Sequence, residues 1–241
     1  MDSKEYRLTI GYTYYDEPEL LKNQLEHWLR YPPEIQIILV DDGSQKYPAY
    51  EFLKDLDITN LQLWEVDEDL GFNSHGCRNL IARIAPTDFV LFMDIDCLIS
   101  PDQVAYLKRI RLNRDKMYRF ALLNTTNDKY DPWPGHPNVF LVNRDKYWEA
   151  GGYDESFTGW HKGDREFHRR LEKVVLPSKL TNSLGITVVR GGRRAVLDES
   201  LDRIVYDDDA MLIRLPAPPP SEKDLVGTVK EKINFSYTRK L

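Results

Sequence analysis

The stretch that most limits how this chain can fold runs from Thr87 to Pro101. Phe89 to Met93 is an unbroken apolar run, too short for a helix and rich in strand formers, and it ends in Asp94 and Asp96. Such a run reads as a buried strand. Residues two apart in an extended chain point to the same side, so the two carboxylates leave the strand's carboxyl end facing one spot. They repel there unless something positive sits between them, and a hard divalent cation, Mg²⁺ or Mn²⁺, meets that need. The plainer alternative is a strand end and a solvated turn, with Ser100-Pro101 opening the next helix.

The preceding chain repeats the pattern. Arg7 to Tyr14 alternates and forms a first strand. Glu17-Pro18-Glu19 opens a helix, with proline early and acids in the first turn, and Leu21, Leu25, Trp28 and Leu29 give it one apolar face. Tyr31-Pro32-Pro33 stops it. Ile35 to Val40 is a second buried strand, ending in the polar turn Asp41-Asp42-Gly43-Ser44. A short helix over 50–56, a strand over 61–66, an acidic loop and a helix over 74–84 follow. Strands alternating with helices predict βαβ units and a parallel sheet. Ligands of such sheets bind beyond the carboxyl ends of the strands. Three of those ends carry polar clusters: Thr13 to Asp16, Asp41 to Ser44, and Asp94 to Asp96.

The second half is less regular. The pattern predicts a basic helix over 101–113, strands over 120–124, 139–142, 185–189 and 195–197, and a helix over about 164–173. Pro216 to Pro220 reads as a stiff linker, and 221–241 as a tail helix with an exposed end. The expected organisation is one catalytic domain over 1–215, with a nucleotide-binding half over 1–100 and an acceptor-side half over 101–215, followed by a linker and tail over 216–241.

With 241 residues, 41% of them hydrophobic, the chain can bury a sizeable core. A net charge of −6 argues against a general nucleic-acid binder, which would show a basic stripe. No apolar run approaches transmembrane length, and Met-Asp-Ser-Lys-Glu does not open a signal peptide. Cys77 and Cys97 have no C-x-x-C spacing, so the expected compartment is reducing and cytoplasmic.

Four patches in order resemble the GT-A glycosyltransferases, closest to the family 2-like nucleotide-sugar enzymes. They are Thr13-Tyr14-Tyr15-Asp16-Glu17, Val40-Asp41-Asp42-Gly43-Ser44, Cys77-Arg78-Asn79 with Asp94-Ile95-Asp96, and Gly151-Gly152-Tyr153-Asp154-Glu155 with Gly159-Trp160 and Gly163-Asp164. The resemblance implies an α/β GT-A fold, Rossmann-like, with a mostly parallel mixed central sheet. It implies a metal-dependent hexosyltransferase using a nucleotide-diphosphate sugar, with UDP-sugar favoured, Mn²⁺ or Mg²⁺ as cofactor, and an acceptor that the sequence does not encode. Thr13, Tyr15 and one of Asp41 and Asp42 would hold base and ribose, and Arg78 would sit near base or phosphate. Asp94 would reach the ribose or the metal, Asp96 would ligate the metal, and Asp164 would be the general base of an inverting transfer.

The chain also departs from the family pattern. Gly163 stands where the family has glutamate, so Glu166 or Asp154 could stand in for the base. No histidine follows His168, so His161 or His168 could take the place of the usual late metal ligand, or the metal could have fewer protein ligands and more water. Trp133, His136 and Trp160 are candidates for the acceptor side, and Arg190, Arg193 and Arg194 for a basic loop over the diphosphate. Asp164 could equally be a helix N-cap, and Arg78 a solvated helix residue. Two other functions stay open: a sugar-phosphate nucleotidyltransferase, against which the absence of a Gly-rich loop after the first strand counts, and a non-catalytic nucleotide-sugar-binding protein, which Gly163 favours.

Overall fold

The computed structural model describes residues 7–71, 73–124, 129–131, 136, 138–157, 163–179, 185–189, 195–198, 203–206, 213–214 and 233–241. The chain runs β1 (Leu8–Tyr14), α1 (Pro18–Trp28), β2 (Ile35–Asp41), α2 (Ala49–Leu53), β3 (Leu61–Val66), α3 (Ser74–Ile84) and β4 (Phe89–Asp94). There follow β5 (Cys97–Leu98), α4 (Pro101–Leu107), β6 (Lys116–Arg119), β7 (Ala121–Asn124), β8 (Lys129–Asp131), β9 (Phe140–Asn143) and α5 (Arg144–Glu149). The last part holds a 3₁₀ turn (Glu155–Phe157), α6 (Gly163–Leu171), β10 (Leu176–Lys179), β11 (Gly185–Val188), β12 (Ala195–Asp198), β13 (Arg203–Tyr206), β14 (Ile213–Arg214) and β15 (Tyr237–Arg239).

Eight strands form the main sheet in the order β10-β6-β9-β4-β1-β2-β3-β15. The β4-β1-β2-β3 block is parallel, while β9 and β15 run antiparallel to their neighbours within it. The sheet is therefore mixed around a parallel centre. Two smaller sheets, β5-β11-β7-β8 and β12-β13-β14, complete the strands.

The unbroken apolar runs follow from burial on both faces. In β2, Ile35, Ile37 and Leu39 enter one core with α1, while Ile38 and Val40 enter a second core with α3. In β4, Leu91 and Met93 face the first core, and Val90 and Phe92 the second. Phe92 lies between the rings of Phe140 and Tyr147, at centroid distances of 5.0 and 5.1 Å. Burying a ring of this size contributes about 1.5–3 kcal/mol. At Gly11 the sheet lets α3 close in, since a Cβ there would lie 2.3 Å from Ile81 Cγ2. The register sets the strand ends level: Thr13 pairs with both Val40 and Asp94, and Tyr14 with Asp41.

Two expectations are corrected. The helix from Pro101 ends at Leu107, not near 113. Ile110 and Leu112 pack against the first core, and that period of two suits an extended chain rather than a helix. The tail does not end in an exposed helix. Tyr237–Arg239 is a strand on the β3 edge, and Ile233, Phe235 and Tyr237 pack against the second core. Among the described residues no helix is long and apolar enough to cross a membrane.

Candidate functional site

The level carboxyl ends of β1, β2 and β4 bring Thr13, Asp41, Asp42 and Asp94 to one end of the sheet. The sequence leaves Asp41 and Asp42 as equals, and their surroundings separate them. Asp41 is fully buried and already engaged: Ser44 N donates to Oδ1 at 2.9 Å and Ala49 N to Oδ2 at 2.7 Å. Asp42 Oδ2 accepts from Asn73 N at 2.7 Å, but its Oδ1 is buried without a hydrogen-bond partner among the described residues. The Cys77 thiol lies beside this carboxylate and burial pushes the carboxyl well above its usual range, so Asp42 differs from Asp41 in keeping one oxygen free of backbone donors. Asp16, at φ 47°, is also structural, since its Oδ1 accepts from Lys46 N at 3.0 Å and Tyr47 N at 2.6 Å. Tyr15 donates its hydroxyl to Asp69, at 3.2 Å from Oδ1 and 3.3 Å from Oδ2.

Burial lifts the Asp41 carboxyl to about 6 from an ordinary 3.8. Between those values the folded protein holds a proton that the unfolded chain has released, so this contribution to stability is full below 3.8 and fades as pH rises through about 6. Asp41→Asn is expected to lose about 1–3 kcal/mol, because its amide nitrogen faces a backbone N–H in place of an acceptor. Urea denaturation across pH should show the wild-type advantage shrinking through that window.

Arg78 joins the two halves of the site. It is 2% exposed, its Nη2 donates to Asp94 Oδ1, and its Nη1 lies 3.2 Å from Asp164 Oδ1. Tyr153 donates its hydroxyl to the same Asp164 oxygen at 3.0 Å. Burial alone would push Asp94 up, but Arg78, His136 and Asn138 outweigh it and hold Asp94 below its usual value. The α3 helix positions more than Arg78. The buried Asn79 clamps the 151–155 turn: its Nδ2 donates to Tyr153 O at 2.9 Å and Glu155 Oε1 at 3.0 Å, and its Oδ1 accepts from Tyr153 N at 2.8 Å. Gly163, the first residue of α6, has the buried His75 ring where a side chain would stand, with Nε2 2.5 Å from a built Cβ. An imidazole from α3 fills the space that the sequence leaves vacant at 163.

Of the alternative bases, Glu166 is committed to the fully buried Arg170 through a forked pair, at 2.6 Å to Oε1 and 2.7 Å to Oε2. Asp154 accepts from Ser156 N at 2.9 Å. His168 lies in α6 with its ring edge-on to Phe140, centroids 4.9 Å apart.

The metal question centres on Asp94 to Cys97. Burial and the neighbouring Asp94 charge raise the Asp96 carboxyl. Ligand atoms of Asp94, Cys97 and His136 lie within 4.8 Å of one another. His136 Nδ1 is buried without a hydrogen bond and stands 3.8 Å from Asp94 Oδ2, which also accepts from Asn138 Nδ2 at 2.9 Å. A ring nitrogen without a hydrogen bond among the described residues, beside the Asp94 carboxylate, fits a divalent cation with oxygen and nitrogen ligands, and Asp96 lies outside this cluster. Cys97 fits less well, because burial pushes its thiol well above its usual value and the thiol donates to Asp96 Oδ1, sulfur to oxygen 3.3 Å.

Trp133, Trp160, His161, Arg190, Arg193 and Arg194 lie outside the described residues. Sequence reasoning placed His136 on the acceptor side and did not single out Asn138, Tyr153 or Asn79 for the site. Asn79 and Tyr153 lie inside the quoted patches, but their roles, like that of Asn138, depend on partners 11 to 76 positions away.

Residues 13–118, under half of the chain, match the model of a family described as Glycosyltransferase like family 2. No curated protein matches the chain. Among solved structures, S. aureus TarS residues 1–349 is 16% identical with a TM-score of 0.57, over 76% of this chain and 60% of that one. The same TarS segment in complex with UDP gives the same figures. The mannosyltransferase PcManGT from Pyrobaculum calidifontis, in complex with GDP-Man and Mn²⁺, is 16% identical with a TM-score of 0.58, over 75% of this chain and 56% of that one. This chain therefore spans less than two thirds of each. At such identity the likeness establishes a shared α/β fold, and the family match supports a glycosyltransferase-like domain within it.

Proposed function

We propose that the chain is an inverting glycosyltransferase that moves a sugar from a nucleoside diphosphate, with UDP favoured, onto an acceptor hydroxyl. The observation that carries this reading is that Asp42 follows β2 and the Asp94/Asp96 pair ends β4, on either side of β1 at one end of the sheet, with Arg78 joining Asp94 to Asp164. The family match over 13–118 supports it, as do fold neighbours solved with UDP and with GDP-Man and Mn²⁺.

In this reading Asp42 Oδ1 accepts from the base, Thr13 and Tyr15 line the nucleoside, and Asp94, Asp96 and His136 hold Mn²⁺ or Mg²⁺. A divalent ion there supplies Lewis-acid stabilisation of the charge that grows on the departing diphosphate. Among the described residues both side-chain contacts to Asp164 fall on Oδ1, and in this reading Oδ2 takes the acceptor proton. The hydroxyl oxygen bonds to the anomeric carbon as the bond from that carbon to the diphosphate oxygen breaks. Arg78 and Tyr153 fix the orientation of Asp164 before substrate arrives.

The test is thermal denaturation with UDP-, GDP- and dTDP-sugars, each with and without Mn²⁺. A ligand at a hundred times its Kd stabilises by about 2.7 kcal/mol, so the true donor stands out, and Asp96→Ala should remove the Mn²⁺-dependent part. Normal UDP and Mn²⁺ binding by Asp96→Ala would sink the metal assignment. Pyrophosphate release from UTP and a sugar phosphate would instead identify a nucleotidyltransferase. Binding of the donor without hydrolysis or transfer would identify a non-catalytic protein.

A further inference from the structure

Between β4 and α4 the chain makes a tight passage, and Asp96 sits in its middle. One side of that passage is held by a residue that belongs to no strand end. Gln24, on α1, is fully buried. Its Nε2 donates to Ile95 O and to Cys97 O, each at 2.8 Å, so one amide group spans the two carbonyls that bracket Asp96. Two residues on, Tyr31 donates its hydroxyl to Ile99 O at 3.0 Å. The carbonyls of 95, 97 and 99 thus all meet buried donors from α1 and the turn after it. The Asp96 carbonyl takes the opposite direction and accepts from Val189 N at 2.7 Å, next to the β5–β11 pairing.

The orientation of the Gln24 amide is not arbitrary. Its Oε1 is buried without a hydrogen-bond partner among the described residues. A flipped amide would set that oxygen against two carbonyl oxygens, so the two bonds from Nε2 decide the orientation. A buried polar group left half-satisfied disfavours the fold unless its other contacts compensate, and here the contacts it makes define the Asp96 turn.

We propose that Gln24 is a positioning residue for Asp96: it fixes the turn that carries this carboxylate and so sets the affinity of the site for a divalent cation. The proposal rests on the metal reading above and adds to it a residue on the opposite face of the sheet from Arg78. Groups that orient metal ligands typically change affinity 10–100-fold when lost.

The experiment titrates Mn²⁺ into wild type, Gln24→Met, Gln24→Asn and Tyr31→Phe, following the free-ion signal by electron paramagnetic resonance, with near-ultraviolet circular dichroism to report the fold. Methionine keeps the volume and loses both donors, while asparagine keeps the amide but falls one methylene short. Both are expected to raise the Mn²⁺ Kd at least about tenfold with the fold retained, and Tyr31→Phe to leave it unchanged. If one Gln24 variant fails to fold, the other carries the measurement. Folded Gln24 variants that bind Mn²⁺ like wild type would overturn the proposal and leave the metal reading standing, and equal weakening by Tyr31→Phe would also overturn it. A wild type that takes up no Mn²⁺ would overturn both.

Discussion

Arg78→Met is expected to lower stability by about 3–5 kcal/mol, the effect of removing one partner from a buried ion pair. The guanidinium side chain is 2% exposed, and the carboxylates it joins are 20% and 18% exposed. Removing it leaves two partly desolvated negative charges facing each other with no cation between them. Burial works against the charged guanidinium, yet Asp94, Tyr153 and Asp164 outweigh that and raise its pKa, so it stays protonated at any accessible pH. Arg78→Lys should recover only part of the loss, since one ammonium cannot reproduce a planar fork aimed at two carboxylates. Urea unfolding reads both values.

The sign of the pH dependence distinguishes this account from a simple packing loss. In wild type, Asp94 is held below its ordinary 3.8, so its contribution is present above that value and lost as pH falls through the lower folded value. In Arg78→Met the same carboxylate is buried without its cation, and protonation relieves it. The deficit of the variant should therefore shrink as pH falls, beginning above 3.8, where the stranded carboxylate takes up its proton, and continuing below it. The triple variant Asp94→Asn/Arg78→Met/Asp164→Asn should be more stable than Arg78→Met alone, because no charge is left stranded. A deficit independent of pH and unrelieved in the triple variant would show that the loss is one of packing.

That Arg78 is the hinge of the site was not legible in the chain. Its neighbours in sequence mark a helix, and the sequence leaves it between a donor contact and a solvated position. The outcome depends on Asp164, 86 positions away. What was legible follows from burial on both faces: a covered parallel strand must be apolar at every position, so 35–40 and 89–93 announce themselves, and the polar residues directly after them must lie at strand ends. The 74–84 helix reads out with its bounds intact because its apolar stripe packs on one sheet face. Past 107 the local signal weakens. The basic stretch 101–113 reads as one helix, but past Leu107 Ile110 and Leu112 are drawn into the core as alternating residues. Gln24 stands on the same α1 face as Leu21 and Trp28, and nothing in its neighbours names its partners, the carbonyls of a turn more than 70 residues later. His136 is a loop histidine until Asp94 comes beside it.

Asp164→Asn is expected to lower kcat by about 10²–10⁴, the usual contribution of a positioned acid or base, with little change in the KM for the donor. The geometry makes this substitution informative. Arg78 Nη1 and Tyr153 Oη both donate to Oδ1 of Asp164, and an asparagine can keep its carbonyl oxygen there with its nitrogen where Oδ2 stood. The network survives in shape, while the atom that would receive the acceptor proton becomes a donor. Stability should fall by less than for Arg78→Met, because Asp94 still faces the guanidinium, donor binding should stay near wild type, and the loss of transfer should appear in kcat. Glu166 is held by Arg170 and offers no replacement nearby. A variant with near-full transfer would remove Asp164 as the base and leave it as the anion that seats Arg78. A variant that loses donor binding together with transfer would place Asp164 in the donor site itself.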